Sequence, residues 1–308
     1  MTSPNDTGWF TDVDQLDALT VDTRAADPLT VSDVPEAVDH LQAWRQHDAA
    51  GAWNGLARAE VADRLVDLVE QPRRITQGNL NLCGPAALVC MWAARDPLAF
   101  AGFATTLFDD GSADLGSLRV DPSADLVEAD ASKFLTGTHG ADWMVLGAIR
   151  NSNNVFWQGT WRGDPDQELA GLTRPEELTA WLEATGIYAG VRNEANWVSP
   201  AGIPHATGLE MPEGRDVAVL LHTNLLLGAK RNRKTQLDHT FLLDQFPNHY
   251  VVALNTPTVA VADDVALGIA AGDVLLSVWS WGRNDLSLVV PADHFVANYY
   301  GAVIADLA

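Results

Sequence analysis

The sequence predicts an α+β fold. Helical periodicity runs from Ser32 to about residue 186, strand-like runs fill the rest, and the two do not alternate as βαβ units would. In order along the chain, Ser32 or Asp33 can cap a first helix with Pro35 in its opening turn, and Val34, Val38, Leu41 and Trp44 recur at helical spacing. A second amphipathic stretch sets Leu56, Val61, Leu65, Leu68 and Val69 against Arg58, Glu60, Asp63, Arg64 and Asp67. A third helix opens at Cys83-Gly84-Pro85 and is apolar through Trp92. Asp96-Pro97 restarts a fourth, Leu98 to Phe108, which Asp109-Asp110-Gly111 ends. Further helices are expected over Asp142–Arg150 and Arg174–Thr185, the latter with Thr173 as its cap. After residue 187, Val217–Leu221, His249–Leu254, Asp273–Trp281 and Leu286–Val290 read as strands bounded by Gly, Asn, Asp and Pro.

The 308 residues suit one two-lobed domain, and their 47% apolar content is enough for a sizeable core. Residues 1–32, with six Asp against Arg24 through Asp27, read as a flexible acidic tail. A single domain over 33–308 then divides into a helical lobe, about 33–186, and a sheet lobe, about 187–308. With 41 acidic and 19 basic side chains the formal net charge is −22, and only three of the basic residues are Lys. That balance argues against nucleic acid as a partner, because phosphate binding needs clustered Lys and Arg. No basic head followed by an apolar stretch marks a secretory leader, and the clean apolar run Ala86–Ala94 is too short to span a bilayer. The expectation is a protein made in the cytoplasm with no membrane span, for which leaderless export stays open.

Chemistry concentrates in Gln77-Gly78-Asn79-Leu80-Asn81-Leu82-Cys83-Gly84-Pro85. Cys83 stands at the start of an apolar helix, beside unpaired N–H groups and the positive helix end, which favour thiolate. The bland alternative, a small residue filling space, suits Cys90, which lies mid-helix between Val89 and Met91. Seven residues apart on one helix, the two are too distant for a disulfide. No HExxH or paired-Cys spacing is present, so neither a zinc site nor any cofactor is expected.

These residues resemble the papain-like cysteine peptidases, especially their bacterial branches. There a Cys opens the central helix and a Gln six positions earlier donates to the oxyanion, as Gln77 precedes Cys83. A later strand opening on His corresponds to Asn248-His249-Tyr250-Val251, and a return strand ending Asn-Ser-Trp-Gly corresponds to Trp279-Ser280-Trp281-Gly282. The resemblance implies a papain-like fold with Cys83 as nucleophile, His249 as base and Gln77 as oxyanion donor. It also implies a peptide or protein substrate. The chain departs from the pattern at Trp279, where the family's Asn would orient the His. Ser280 or a residue from another segment must do so, or the orienter is missing.

His239, beside Asp238 and before an apolar run, rivals His249 as base. Adjacent strand residues point to opposite faces, however, so Asp238 does not orient it locally. Lys230–Lys234 is either a solvated hairpin tip or a mouth loop reading an acidic partner. Trp157 and Trp161 either line a groove or pack in the core, with core packing the simpler reading. Three functions compete. The first is a cysteine-dependent hydrolase of amide bonds (peptide, isopeptide or glutamine side chain). The second is a papain-fold effector or toxin that deamidates or cross-links a protein. The third is an inactive papain-fold binding module.

Overall fold

Where apolar residues recur every three or four positions the chain is helical. In a computed structural model describing residues 31–78, 80–135, 137–154, 160–163, 168–227, 246–280 and 282–308, α1 is Val34–Arg45 and α2 is Arg58–Glu70. α1 buries Ala37, Leu41 and Trp44, and α2 buries Val61, Leu65, Leu68 and Val69. The next helix, α3 (Cys83–Arg95), is buried on every side except at Ala94, as a helix apolar all round must be. α4 (Pro97–Asp110) is capped by the Asp96 carboxylate, which accepts from Ala99 N–H, and stops at Gly111, whose φ of 76° is a left-handed stop. A small hairpin, β1 (Ala113–Leu115) and β2 (Leu118–Val120), and the short α5 (Ala124–Val127) lead to α6 (Gly140–Ser152). α7 (Glu168–Gly171) and α8 (Pro175–Ala184) complete the helical half.

Of the two residues offered as a cap for α1, Asp33 is the N-cap, without a side-chain bond, and Ser32 is not. Its hydroxyl binds Asp96 at 2.5 Å and accepts from Leu98 N–H, fastening the chain to α4 instead. Thr173 does not cap α8 either. Arg174 is the N-cap residue and its N–H is taken by Glu177 at 2.7 Å, while Thr173 is buried against α3. A Cβ added at Gly84 would lie 2.3 Å from Thr173 Oγ1, so this contact requires the glycine.

The second half is an antiparallel sheet. Its strands are β3 (Tyr188–Asn193), β4 (Arg215–Leu221), β5 (His249–Ala253), β6 (Thr258–Val259), β7 (Val274–Ser280), β8 (Arg283–Val290) and β9 (Tyr299–Leu307). They follow the order β3-β9-β4-β5-β7-β6, with β8 also on β7. β5 and β7 pair antiparallel as expected, with Val252 opposite Trp279 and Ala253 opposite Val278. Short helices α9 (Ile203–Thr207), α10 (Asn224–Leu227) and α11 (Ala292–Asn298) lie between strands.

Strand alternation divides the interior into two cores. Ala218, Leu220, Tyr250, Val252 and Trp279 join the helices in one, while Val217, Val219, Val251, Ala253, Val278 and Phe295 form the other. The mixed helix and antiparallel-sheet composition makes the fold α+β. Among the described residues no helix is long and apolar enough to cross a membrane. Residues 1–30 of the acidic segment, the basic run Lys230–Lys234, His239, Trp157 and Trp281 lie outside the described residues. Trp161 is fully buried and packs in the core.

Candidate active site

Cys83 is the first residue of α3. Leu82, the N-cap, offers no side-chain acceptor, so the first-turn N–H groups are left to other partners. The sulfur lies among such groups: the backbone N–H groups of Tyr250 on β5, Gly84 and Cys83 favour its ionised form. The thiol in turn lies 3.8 Å from the Asn248 carbonyl. The helix that Cys83 opens thus abuts the sheet at the two residues that flank His249.

His249 opens β5, and its Nε2 is 2.7 Å from Ser280 Oγ at the end of β7. Ser280 is fully buried, so this bond fixes the imidazole without competition from water. Of the alternatives left by the departure at Trp279, the serine holds the ring. Trp279 is displaced from that role by strand alternation: it faces the helical core, and its indole N–H donates to the Arg73 carbonyl.

Gln77 is buried, and its Oε1 has no hydrogen-bond partner among the described residues. Its loop passes from a 3-10 turn, Pro72–Arg74, through buried Ile75 to Gly78, whose φ of 57° needs glycine. Gln77, Cys83, Ala86, His249, Tyr250 and Trp279 line one crevice, too tight to seat a water molecule. The three residues singled out from the sequence therefore line the same crevice.

The electrostatics overturn one expectation. Cys83 is not the favoured thiolate that its place at a helix start implies: it is only 5% exposed, against 4% for Cys90. Burial pushes the Cys83 thiol up from 9.0 to about 11, outweighing the N–H groups of Tyr250, Gly84 and Cys83 that favour thiolate. Burial pushes Cys90 higher still, with no N–H donor to oppose it. The His249 imidazole is driven down from 6.5 to about 3 by the same desolvation. The resting pair is a neutral thiol and a neutral imidazole.

A stability profile follows from those directions. The unfolded chain binds a proton at His249 below pH 6.5 and the folded chain does not until about pH 3. The His249 contribution is therefore complete above 6.5 and lost as pH falls through that window. The folded chain keeps the Cys83 proton between 9.0 and about 11, where the unfolded chain releases it, so stability also declines through that range as pH rises. Urea denaturation of wild type and His249→Gln across pH 3–8 should give curves that converge as pH falls. Parallel curves would mean that His249 is not held neutral by burial.

The sequence reading passed over Tyr250, which lines the crevice beside Cys83 and whose hydroxyl burial holds well above its usual range. Its position next to the strand-opening His was the available signal. Among the described residues, no group of three or more His, Cys, Asp or Glu is placed to hold a metal ion. Compared with family models, curated proteins and solved structures, the chain matches none.

Proposed function

We propose that this chain is a cysteine-dependent hydrolase of amide bonds with a papain-like arrangement. One observation carries the reading: a cysteine on the first residue of the central buried helix has its sulfur against the main chain on both sides of a serine-held histidine. Gln77, six residues before that cysteine, lines the same crevice and supports the assignment.

In the proposed reaction, Ser280 accepts from the His249 Nε2–H, and Nδ1 takes the thiol proton as sulfur attacks the acyl carbon. The carbonyl electrons move onto oxygen, where the Gln77 amide and the Cys83 backbone N–H hold the oxyanion. Its collapse expels the amine, which leaves with the proton from His249. Water, activated by the same imidazole, then cleaves the thioester and restores the thiol. A substrate that enters the crevice brings its own amide dipole to a thiol whose ionisation is otherwise suppressed. Gln77→Ala is expected to slow acylation about 100-fold or more with little change in stability. Stopped-flow release of p-nitrophenolate from p-nitrophenyl acetate checks this, and an unchanged rate removes Gln77 from the mechanism.

A second reading, an inactive binding module, is favoured by the closed crevice and by alternation, which groups His249 with Val251 and Ala253 on the far core. There the Ser280 bond would serve only to satisfy a buried imidazole. The readings part at His249→Ala: loss of Cys83 reactivity at neutral pH supports the hydrolase, and unchanged reactivity supports the module.

A further inference from the structure

The loop bearing Gln77 is gripped at Thr76, one residue away, from both sides of its peptide unit. Asp142, in the first turn of α6 and fully buried, accepts the Thr76 N–H on Oδ2 at 2.9 Å. The same carboxylate is held by both arms of Arg64 from α2, Nε to Oδ1 and Nη2 to Oδ2, each at 2.8 Å. Arg64 Nη2 also donates to the Arg74 carbonyl at 2.6 Å, so the pair braces the loop at two points. On the opposite side Thr138 Oγ1 donates to the Thr76 carbonyl at 2.9 Å. The Thr76 hydroxyl accepts from Gly78 N–H at 3.2 Å, which closes the turn around Gln77 itself.

A bidentate Arg–carboxylate pair with a third bond to a backbone N–H is far more geometry than an ordinary loop needs. An oxyanion donor does need it, because its contribution depends on being aimed before charge develops. We infer that Asp142, oriented by Arg64, and Thr138 are positioning residues that aim the Gln77 amide at the oxyanion. The inference rests on the hydrolase reading above. Neither residue lines the crevice, so each acts through the loop that carries Gln77.

Two electrophiles separate positioning from structure. In p-nitrophenyl acetate, sulfur adds to a carbonyl, an oxyanion forms, and p-nitrophenolate leaves with its bonding pair. In iodoacetamide, sulfur displaces iodide at a saturated carbon and no oxyanion forms. The ratio of the two Cys83 rates, followed by mass spectrometry of the intact variants, therefore reads oxyanion stabilisation alone. In Asp142→Asn and Thr138→Val the ratio is expected to fall by about tenfold or more, as in Gln77→Ala. Either variant combined with Gln77→Ala should lower it no further than Gln77→Ala does. If Gln77→Ala lowers the ratio and both others leave it within about twofold, the positioning role is overturned and the hydrolase reading stands. If Gln77→Ala itself leaves the ratio unchanged, the oxyanion assignment falls and the positioning role with it. Should Asp142→Asn fail to fold, Thr138→Val, which keeps the ion pair, decides the question by the same outcomes.

Discussion

Cys83→Ala is expected to abolish acyl transfer, by a factor on the order of 10⁴ or more, while the protein stays folded. The substitution removes one buried sulfur whose partners are main-chain groups of Asn248, Tyr250 and Gly84. Those groups also serve the helix and strand around them, so the stability change should stay within about 1–2 kcal/mol. Cys90→Ala provides the contrast. It deletes an equally buried thiol from the middle of α3 and should leave the rate within about twofold. The comparison is made by following ester turnover and urea midpoints for both variants. Equal activity in wild type and Cys83→Ala would show that any hydrolysis arises elsewhere.

The largest expected loss of stability belongs to Arg150→Leu, at about 3–5 kcal/mol. Arg150 is fully buried and meets Glu177 at 2.8 Å, while its other nitrogen donates to the Leu172 carbonyl at 2.9 Å. A further bond reaches the Asn153 carbonyl at 2.8 Å, and the guanidinium lies 5.4 Å from the Trp181 ring. Truncation leaves the buried Glu177 carboxylate with Arg174 alone, its N–H at 2.7 Å and its guanidinium at 3.5 Å, beside carbonyls that have lost a donor, and that loss of the buried partner is the main penalty. The segment it fixes, Leu172–Thr173, packs on Gly84 at the start of α3. Arg150→Leu with Glu177→Leu should be more stable than Arg150→Leu alone, because the buried carboxylate that has lost its closest cation goes with it. A urea midpoint for the pair at or below that of the single variant would contradict this account.

Legibility in the sequence followed the range of the interactions concerned. α1 to α4, α6 and α8, together with β4, β5, β7 and β8, could be read because local periodicity and punctuation specify them. β9 could not. Seven of its nine residues, Tyr299–Ala305, are buried in succession, which erases the alternation that marks a strand, and yet it sits between β3 and β4 in the sheet. The position of Cys83 at a helix start was visible in Cys83-Gly84-Pro85. Its enclosure was not, because that depends on main chain 165 residues away. Ser280 could be named only as one of several partners for His249, since a bulge between Val278 and Ser280 decides the outcome. Asp142 read as an ordinary acidic residue opening a helix. Only the packing of α6 on the Thr76 loop turns it into a buried acceptor.

Acylation of Cys83 by p-nitrophenyl acetate in wild type and in His249→Ala, followed residue by residue by mass spectrometry near neutral pH, tests the central claim. With a thiol held near pKa 11, unassisted thiolate is scarce, so rapid reaction requires a base at the sulfur. The expected result is acetylation confined to Cys83, with Cys90 untouched, that turns over in wild type and slows by about 100-fold or more in His249→Ala. The same rate in both proteins, or acetyl groups distributed equally over Cys83 and Cys90, would contradict it.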